Sequence, residues 1–254
     1  MQNDQMIRLL GPIDVLAASG PVSVGGRQAR ALLGTLAIGA DHAVSIDYLY
    51  HVLWEGHPPA SAYNTLQSYV SHLRHILGPE AIVRVDHSYG LMAGSEHIDA
   101  LKFERLVNAA AETREYPQRC QSICREALAL WRGRPFGDLA DHENFRLEAY
   151  RLDELRLLAM ELSLGADLAL GHHELVVGEL ESAVEENPYR EHLWHLLIEA
   201  LARCGRRVEA LRACTRLREE LAKVGLAPAD HVNSMEHDIL AGQMPSAVQQ
   251  TNRS

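Results

Sequence analysis

The stretch from Pro58 to Pro79, PPASAYNTLQSYVSHLRHILGP, decides how this 254-residue chain is read. Its apolar residues Leu66, Tyr69, Val70, Leu73, Ile76 and Leu77 recur at steps of three and four, which predicts a helix with one buried stripe. The opposite face carries Asn64, Thr65, Gln67, Ser68, Ser71, His72, Arg74 and His75, all able to hydrogen-bond and none acidic, in a chain of net charge −10. Helices that enter the DNA major groove have this character. Pro58 and Pro59 give an extended approach and Ser61 is the expected N-cap. Gly78 and Pro79 then end the helix. An ordinary packed helix with a solvated face fits the same pattern, so the flanks have to decide.

Upstream, Ile7 to Leu10, Ile13 to Leu16 and Pro21 to Val24 are short apolar runs separated by Gly11-Pro12 and Ser19-Gly20, which reads as a small antiparallel sheet. A helix follows over Arg27 to Ile38, with Ala31, Leu32, Thr35, Leu36 and Ile38 near one side and Gly39 at its end. Ser45 is placed to cap a second helix, Ile46 to Trp54, whose Leu49, Val52, Leu53 and Trp54 are core candidates. Downstream, Ala81 to Val85 and Tyr89 to Ala93 read as two strands joined by Asp86-His87-Ser88.

Charge confines any DNA contact to a local surface. The chain has 24 basic and 34 acidic residues, which excludes a generally basic nucleic-acid coat. Residues 1–95 hold 5 Arg and 7 acids, whereas residues 96–254 hold 19 basic and 27 acidic residues, so the acidic excess lies mainly in the second part. No secretion signal or membrane-spanning run is evident, and a cytoplasmic protein is expected. Cys120, Cys124, Cys204 and Cys214 fall in helical patterns, with spacing that fits buried thiols better than zinc or a disulfide framework.

From Asp99 to Leu240 the pattern is helical throughout, with breaks at Pro117, Gly133 to Gly137, Gly171, Pro188, Gly205 and Gly225. Helices of roughly 14 to 30 residues, paired as hairpins, are expected. ADLALGHHELVVGELESAV from Ala166 and EALARCGRRVEALRACTRL from Glu199 echo one another, with Gly171 and Gly205 about one tetratricopeptide period (~34 residues) apart. Ala166, Ala169, Ala200 and Ala202 are the small residues expected where paired helices approach. Trp131, before Arg132-Gly133-Arg134-Pro135, is read as core at a helix junction rather than as a recognition loop. His172-His173 and His192 with His195 lack a third ligand at a telling spacing, so neither a metal nor a cofactor is expected. No phosphate loop, nucleophile elbow or zinc motif is present, and an enzyme is not expected.

The fold class is therefore mostly α with a small antiparallel β component: a winged helix-turn-helix of the response-regulator type, then an all-helical tetratricopeptide-like domain. The segment Val44 to Leu91, with VSIDYLYHVLW, PPASAYNTLQSYVSHLRHILGP and YGL, resembles the DNA-binding domain of the Streptomyces antibiotic regulatory protein (SARP) family. ALALWRGRPFGDL (Ala127 to Leu139), RLDELRL (Arg151 to Leu157), ALGHHELVVGELESAVEENPYRE (Ala169 to Glu191) and CGRRVEALRACTRLREEL (Cys204 to Leu221) resemble the bacterial transcriptional activation domain that follows it in that family. The domains expected are a winged helix over 6–95, a helical activation domain over 96–241 and a disordered polar tail over 242–254.

If the apolar stripe faces the core, Ser68, Ser71, His72 and His75 face base edges, and His72 as a neutral imidazole could donate to guanine O6 or N7. Arg74, near the helix end, is read as a phosphate contact. The resemblance implies Asn64, Thr65 and Tyr69 as backbone contacts, Ser68, Ser71 and His72 as base-facing positions, and Arg84 and His87 as wing contacts to the minor groove or phosphate. The family commonly has Arg where His72 and His75 stand, and often Gly where Ser88 stands, with its wing Gly before rather than after Tyr89. With few fixed cations a single copy should bind weakly, which predicts a dimer or side-by-side pair on half-sites about one helical turn apart. The resemblance implies an activator of a secondary-metabolite (antibiotic) gene cluster. It would bind direct repeats near promoter −35 regions and recruit RNA polymerase through its sigma subunit. The competing reading is a helical-repeat interaction scaffold or small-molecule sensor whose winged helix mediates protein contacts.

Overall fold

The computed structural model describes residues 5–40 and 42–243, and the chain begins there with an antiparallel meander. Strands β1 (Met6–Arg8), β2 (Asp14–Ala17) and β3 (Gly20–Val22) lie in that order. Ile7 pairs with Val15, and both are fully buried on the core face. Arg8 lies opposite Asp14 and grips its carboxylate through two bonds of 2.6 Å.

Three helices follow: α1 (Arg27–Ile38), α2 (Ile46–Trp54) and α3 (Ala62–Leu77). A second sheet has strands β4 (Val44–Ser45), β5 (Ile82–Val85) and β6 (Ser88–Leu91) in the order β4-β6-β5. The wing turn is Asp86-His87 alone, because Ser88 already pairs with Val85. Asp86 there takes a φ of 51°, in the left-handed region that Asp tolerates better than most residues. Strand β4 has no signal in the sequence, since two residues carry no alternation; it exists because β6 offers Val44 and Ser45 a partner edge.

The caps divide. Ser45 accepts from the Tyr48 amide at 3.2 Å and starts α2 as read. Ser61 makes no side-chain cap, which corrects the expected N-cap of α3. Its ψ of 2° is not the extended conformation a capping hydroxyl needs, and the Ala62 amide instead bonds the Pro59 carbonyl at 2.9 Å. Helix α1 is buried nearly all round, apart from its ends, and Ile38, expected near its apolar side, is 39% exposed. A Cβ on Gly34 would lie 2.9 Å from both Ile13 Cδ1 and Phe145 Cε1, so a glycine is kept in mid-helix for close approach.

The rest is helical: α4 (Asp99–Glu112), α5 (Pro117–Leu128), α6 (Glu143–Ala169), α7 (His173–Glu186), α8 (Glu191–Arg203), α9 (Arg207–Ala222) and α10 (Asp230–Leu240). Their lengths run from 11 residues in α10 to 27 in α6, so the shortest fall below expectation. Pro117 opens α5 at its first position, where a missing N–H costs nothing.

The described residues form two compact units, those up to 109 with 125–159, and 110–124 with those from 160 to 243. In the first unit the Asp99 carboxylate accepts from the Leu9 and Leu10 amides at 2.6 and 3.1 Å, joining the front sheet to the start of α4. The segment after α5 returns to that sheet, with Arg132 N donating to Leu10 O at 2.8 Å and Phe136 N to Leu9 O at 2.7 Å. Trp131 is core-packed as read: its ring meets Phe103 edge-on at 5.3 Å and lies under the Arg156 guanidinium at 4.9 Å.

In the second unit α6, α8, α9 and α10 end in one repeated device. Gly171, Gly205, Gly225 and Gly242 have positive φ, and the following amides of His172, Arg206, Leu226 and Gln243 reach back to Asp167, Leu201, Leu221 and Asp238 carbonyls. This is the Schellman closure, which lets the chain reverse after each helix. Of the small residues expected between helices, Ala166 and Ala200 are buried, Ala202 is half-buried and Ala169 is exposed. Arg216 on α9 joins Glu181 on α7 at 2.7 Å while its guanidinium covers the buried Trp194 ring at 5.0 Å. Cys120, Cys124 and Cys214 are buried free thiols and Cys204 is half-buried. Burial pushes the Cys124 thiol up to about 12. The tail expected from 242 lies outside the described residues beyond Gln243.

Candidate nucleic-acid interface

Helix α3 is held by Leu66, Val70, Leu73 and Leu77, all fully buried. Each contributes about 1.5–3 kcal/mol of gross apolar burial, enough to fix which face turns outward. At 100° per residue the side opposite those four carries Asn64, Ser68, Ser71 and His75, each exposed. The stripe is roughly 16 Å long, the rise of eleven residues. No acidic residue lies on the helix. Ser68 Oγ donates to Asn64 O at 3.0 Å, which leaves its lone pairs outward.

The expected site residues do not all join this stripe. Thr65, half-buried, donates from Oγ1 to Ser61 O at 3.0 Å, and Tyr69 packs partly buried against the core. Arg74, half-buried, turns to the wing, where Nε and Nη2 both donate to Ile82 O at 2.9 and 2.7 Å. Gln67 turns the same way and donates to the buried Tyr89 hydroxyl at 2.5 Å. These two side chains, seven residues apart on one flank of α3, fasten it to β5 and β6. On the other flank His72, although exposed, places Nε2 3.1 Å from Val24 O in the loop before α1.

Arg84, on β5, is more exposed than Arg74. Arg84 is exposed, with Nε on Asp86 O at 3.2 Å and Nη1 on the Tyr63 hydroxyl at 3.4 Å. The hydrogen bond to Tyr63 raises its pKa further above the usual range. His87 at the wing tip lies 3.6 Å from Asp47 of α2, both exposed. Two residues that sequence reading missed adjoin this surface. Tyr63, half exposed, is an aromatic outside the apolar stripe, which was the available signal. Arg27, exposed at the start of α1, has no partner among the described residues and follows the loop that His72 touches.

In the second unit His172, His192, His195 and His231 pair among themselves or with a single carboxylate. The His192 and His195 rings are stacked at 6.0 Å and His195 meets His231 at 5.4 Å, but among the described residues no three His, Cys, Asp or Glu are disposed to hold a metal. His172 donates to or accepts from Asp167 at 2.8 Å instead. A notch of about 300 Å³ beside α8 is lined by Gly165, Leu168, Leu196 and the Glu199–Arg203 ion pair. Among the described residues no helix is long and apolar enough to cross a membrane.

The sequence profile of the bacterial transcriptional activator domain matches residues 98–240, more than half of the chain. The regulatory protein DnrI of Streptomyces peucetius is 31% identical over 248 residues, a match covering 92% of this chain and 91% of DnrI. The chain belongs to the SARP family of transcriptional regulators. Among other SARP relatives, the regulatory protein AfsR of Streptomyces griseus is 32% identical over 239 residues, 91% of this chain but 24% of AfsR. A solved structure of Mycobacterium tuberculosis EmbR in complex with a low affinity phosphopeptide superposes with a TM-score of 0.88 at 31% identity, covering 94% of this chain and 65% of that one. This SARP chain thus spans less than two thirds of AfsR and of EmbR. Its relatives are named as regulators of transcription, and the mostly helical fold with a small antiparallel component agrees with the EmbR likeness.

Proposed function

We propose that this chain is a sequence-specific DNA-binding transcriptional activator whose helix α3 enters the major groove. The reading rests on the acid-free outward stripe Asn64, Ser68, Ser71 and His75, held on a helix fastened to the wing by Gln67 and Arg74. A protein-docking face would expose aromatic or aliphatic anchors there, and the stripe has none. Ser68, Ser71, His72 and His75 then face bases, while Asn64, Thr65 and Tyr69 set register against the backbone. Arg84, with Tyr63 beside it and His87 at the tip, supplies the wing contact. Arg74 is spent on Ile82 and acts from within the fold.

Because uncommitted cations are few, affinity has to come from two copies on adjacent half-sites. The family supports direct repeats near the −35 region of promoters in a secondary-metabolite cluster, with the helical domain recruiting RNA polymerase through sigma, in the cytoplasm. Selection of the full chain against random duplex DNA at near-physiological salt tests the reading. A short motif repeated at about one helical turn is expected. Recovery of no motif would sink it.

A further inference from the structure

The contact between His72 and the loop before α1 fixes more than a rotamer. A backbone carbonyl can only accept, so the 3.1 Å contact between His72 Nε2 and Val24 O requires the proton on Nε2. In the neutral ring Nδ1 is then a bare acceptor, and it makes no hydrogen bond among the described residues. The loop that sets this choice is itself held. Arg30 Nη1 donates to Gly25 O at 2.9 Å, and Arg30 Nη2 reaches Asp138 at 2.7 Å. Gly25 has a φ of 101°, and a Cβ there would stand 3.5 Å from His72 Nε2, so the loop and the imidazole meet closely.

We infer that His72 presents an acceptor to the major groove and therefore reads a base that carries a donor, adenine through N6 or cytosine through N4, not guanine. The inference rests on the DNA-binding reading above. Residue type alone leaves the choice open, because a free neutral histidine could turn either nitrogen outward. Guanine shows only acceptors, N7 and O6, on this edge. An imidazole whose one proton is already given to Val24 has nothing to donate to them. The pinned ring also loses little freedom on binding, and its preference should fall on one base pair.

The test has two parts at pH 8, where free imidazole is neutral. First, long-range proton–nitrogen NMR of the full chain, with His72→Gln to assign the signal, should show His72 as the Nε2–H tautomer without DNA. An Nδ1–H tautomer, or averaging between the two, overturns the inference. Second, sites are selected from random duplexes by the wild type and by His72→Ala. The variant should keep the motif but relax one base pair by about 5- to 10-fold, the low end for a side chain reading a base. At that pair, purine in place of adenine, or pyrimidin-2-one in place of cytosine, should weaken the wild type equally and leave His72→Ala unaffected. If 7-deazaguanine weakens binding there and loss of the amino group does not, the inference is wrong. If His72→Ala relaxes no position of a clear motif, it is wrong while DNA binding stands. If the wild type selects no motif, DNA binding itself fails and takes the inference with it.

Discussion

Replacing Arg74 by methionine keeps the stem of the side chain and removes only its two bonds to the Ile82 carbonyl, at 2.9 and 2.7 Å. A hydrogen bond from a charged group contributes about 1.5–3 kcal/mol net, and because both donors share one acceptor the total should stay within that range. The loss falls on the junction of α3 with the wing. With a urea m-value of about 2 kcal/mol/M, the unfolding midpoint of the first unit should drop by about 1 M. With Trp194 replaced by Phe, fluorescence of Trp54 and Trp131, both in that unit, reports the transition. DNA binding by the folded variant should keep the wild-type salt dependence. Arg84→Ala should show the reverse: unchanged stability, and a salt slope shallower by about 0.9 for each phosphate that Arg84 neutralises. If Arg74→Met flattened the salt slope by that amount and left the urea midpoint in place, Arg74 would be a phosphate ligand and would not anchor the wing.

Three further substitutions probe the fold. Gly34→Ala gains about 1 kcal/mol of helix propensity but sets a methyl 2.9 Å from Ile13 and Phe145, and a net loss of about 1–3 kcal/mol is expected in urea. Burial raises Asp99 to about 6, so its contribution is full below pH 3.8 and is lost as pH rises through 6; by about 1.4 kcal/mol per unit, the stability difference from Asp99→Asn should shrink by about 2–3 kcal/mol between pH 4 and pH 7. Burial, then the neighbouring His192 and His231, lowers His195 to about 4, so its contribution is present above pH 6.5 and is lost as pH falls through 4. His195→Leu also removes an Nδ1 that is buried without a partner among the described residues, and it should match or exceed wild-type stability at pH 7 and lose less on acidification. Unfolding of the second unit at the two pH values measures this, and a variant that is less stable at both would count against it.

The sequence showed the helices of the first unit because their limits carry local chemistry. Ser45 caps α2 and Gly39 ends α1, where the apolar spacing also stops. The repeat in the second unit was legible for the same reason, since Gly171 and Gly205 each close a helix by one backbone device. Contacts between distant segments left no such mark. Asp99 meets amides ninety residues away, and His72 meets a carbonyl forty-eight residues away, so neither can be read from a neighbourhood. Arg74 is read from its residue type as a phosphate contact, and its bonds to the Ile82 carbonyl leave no mark near it in the sequence. Its partner, Ile82, comes within reach only after Gly78, with a φ of 103°, turns the chain back.

Ser71→Glu separates a stripe Asn64, Ser68, Ser71 and His75 that faces DNA from one that is merely solvated. The change puts one negative charge at the middle of an exposed helix face and touches nothing buried, so circular dichroism and urea unfolding should match the wild type. Against the duplex that the wild type selects, anisotropy titration at near-physiological salt should show binding weakened by about 100-fold or more, from like-charge repulsion and a displaced groove-facing hydroxyl. Binding within threefold of the wild type, by a variant shown to be folded, would mean that α3 does not enter the groove.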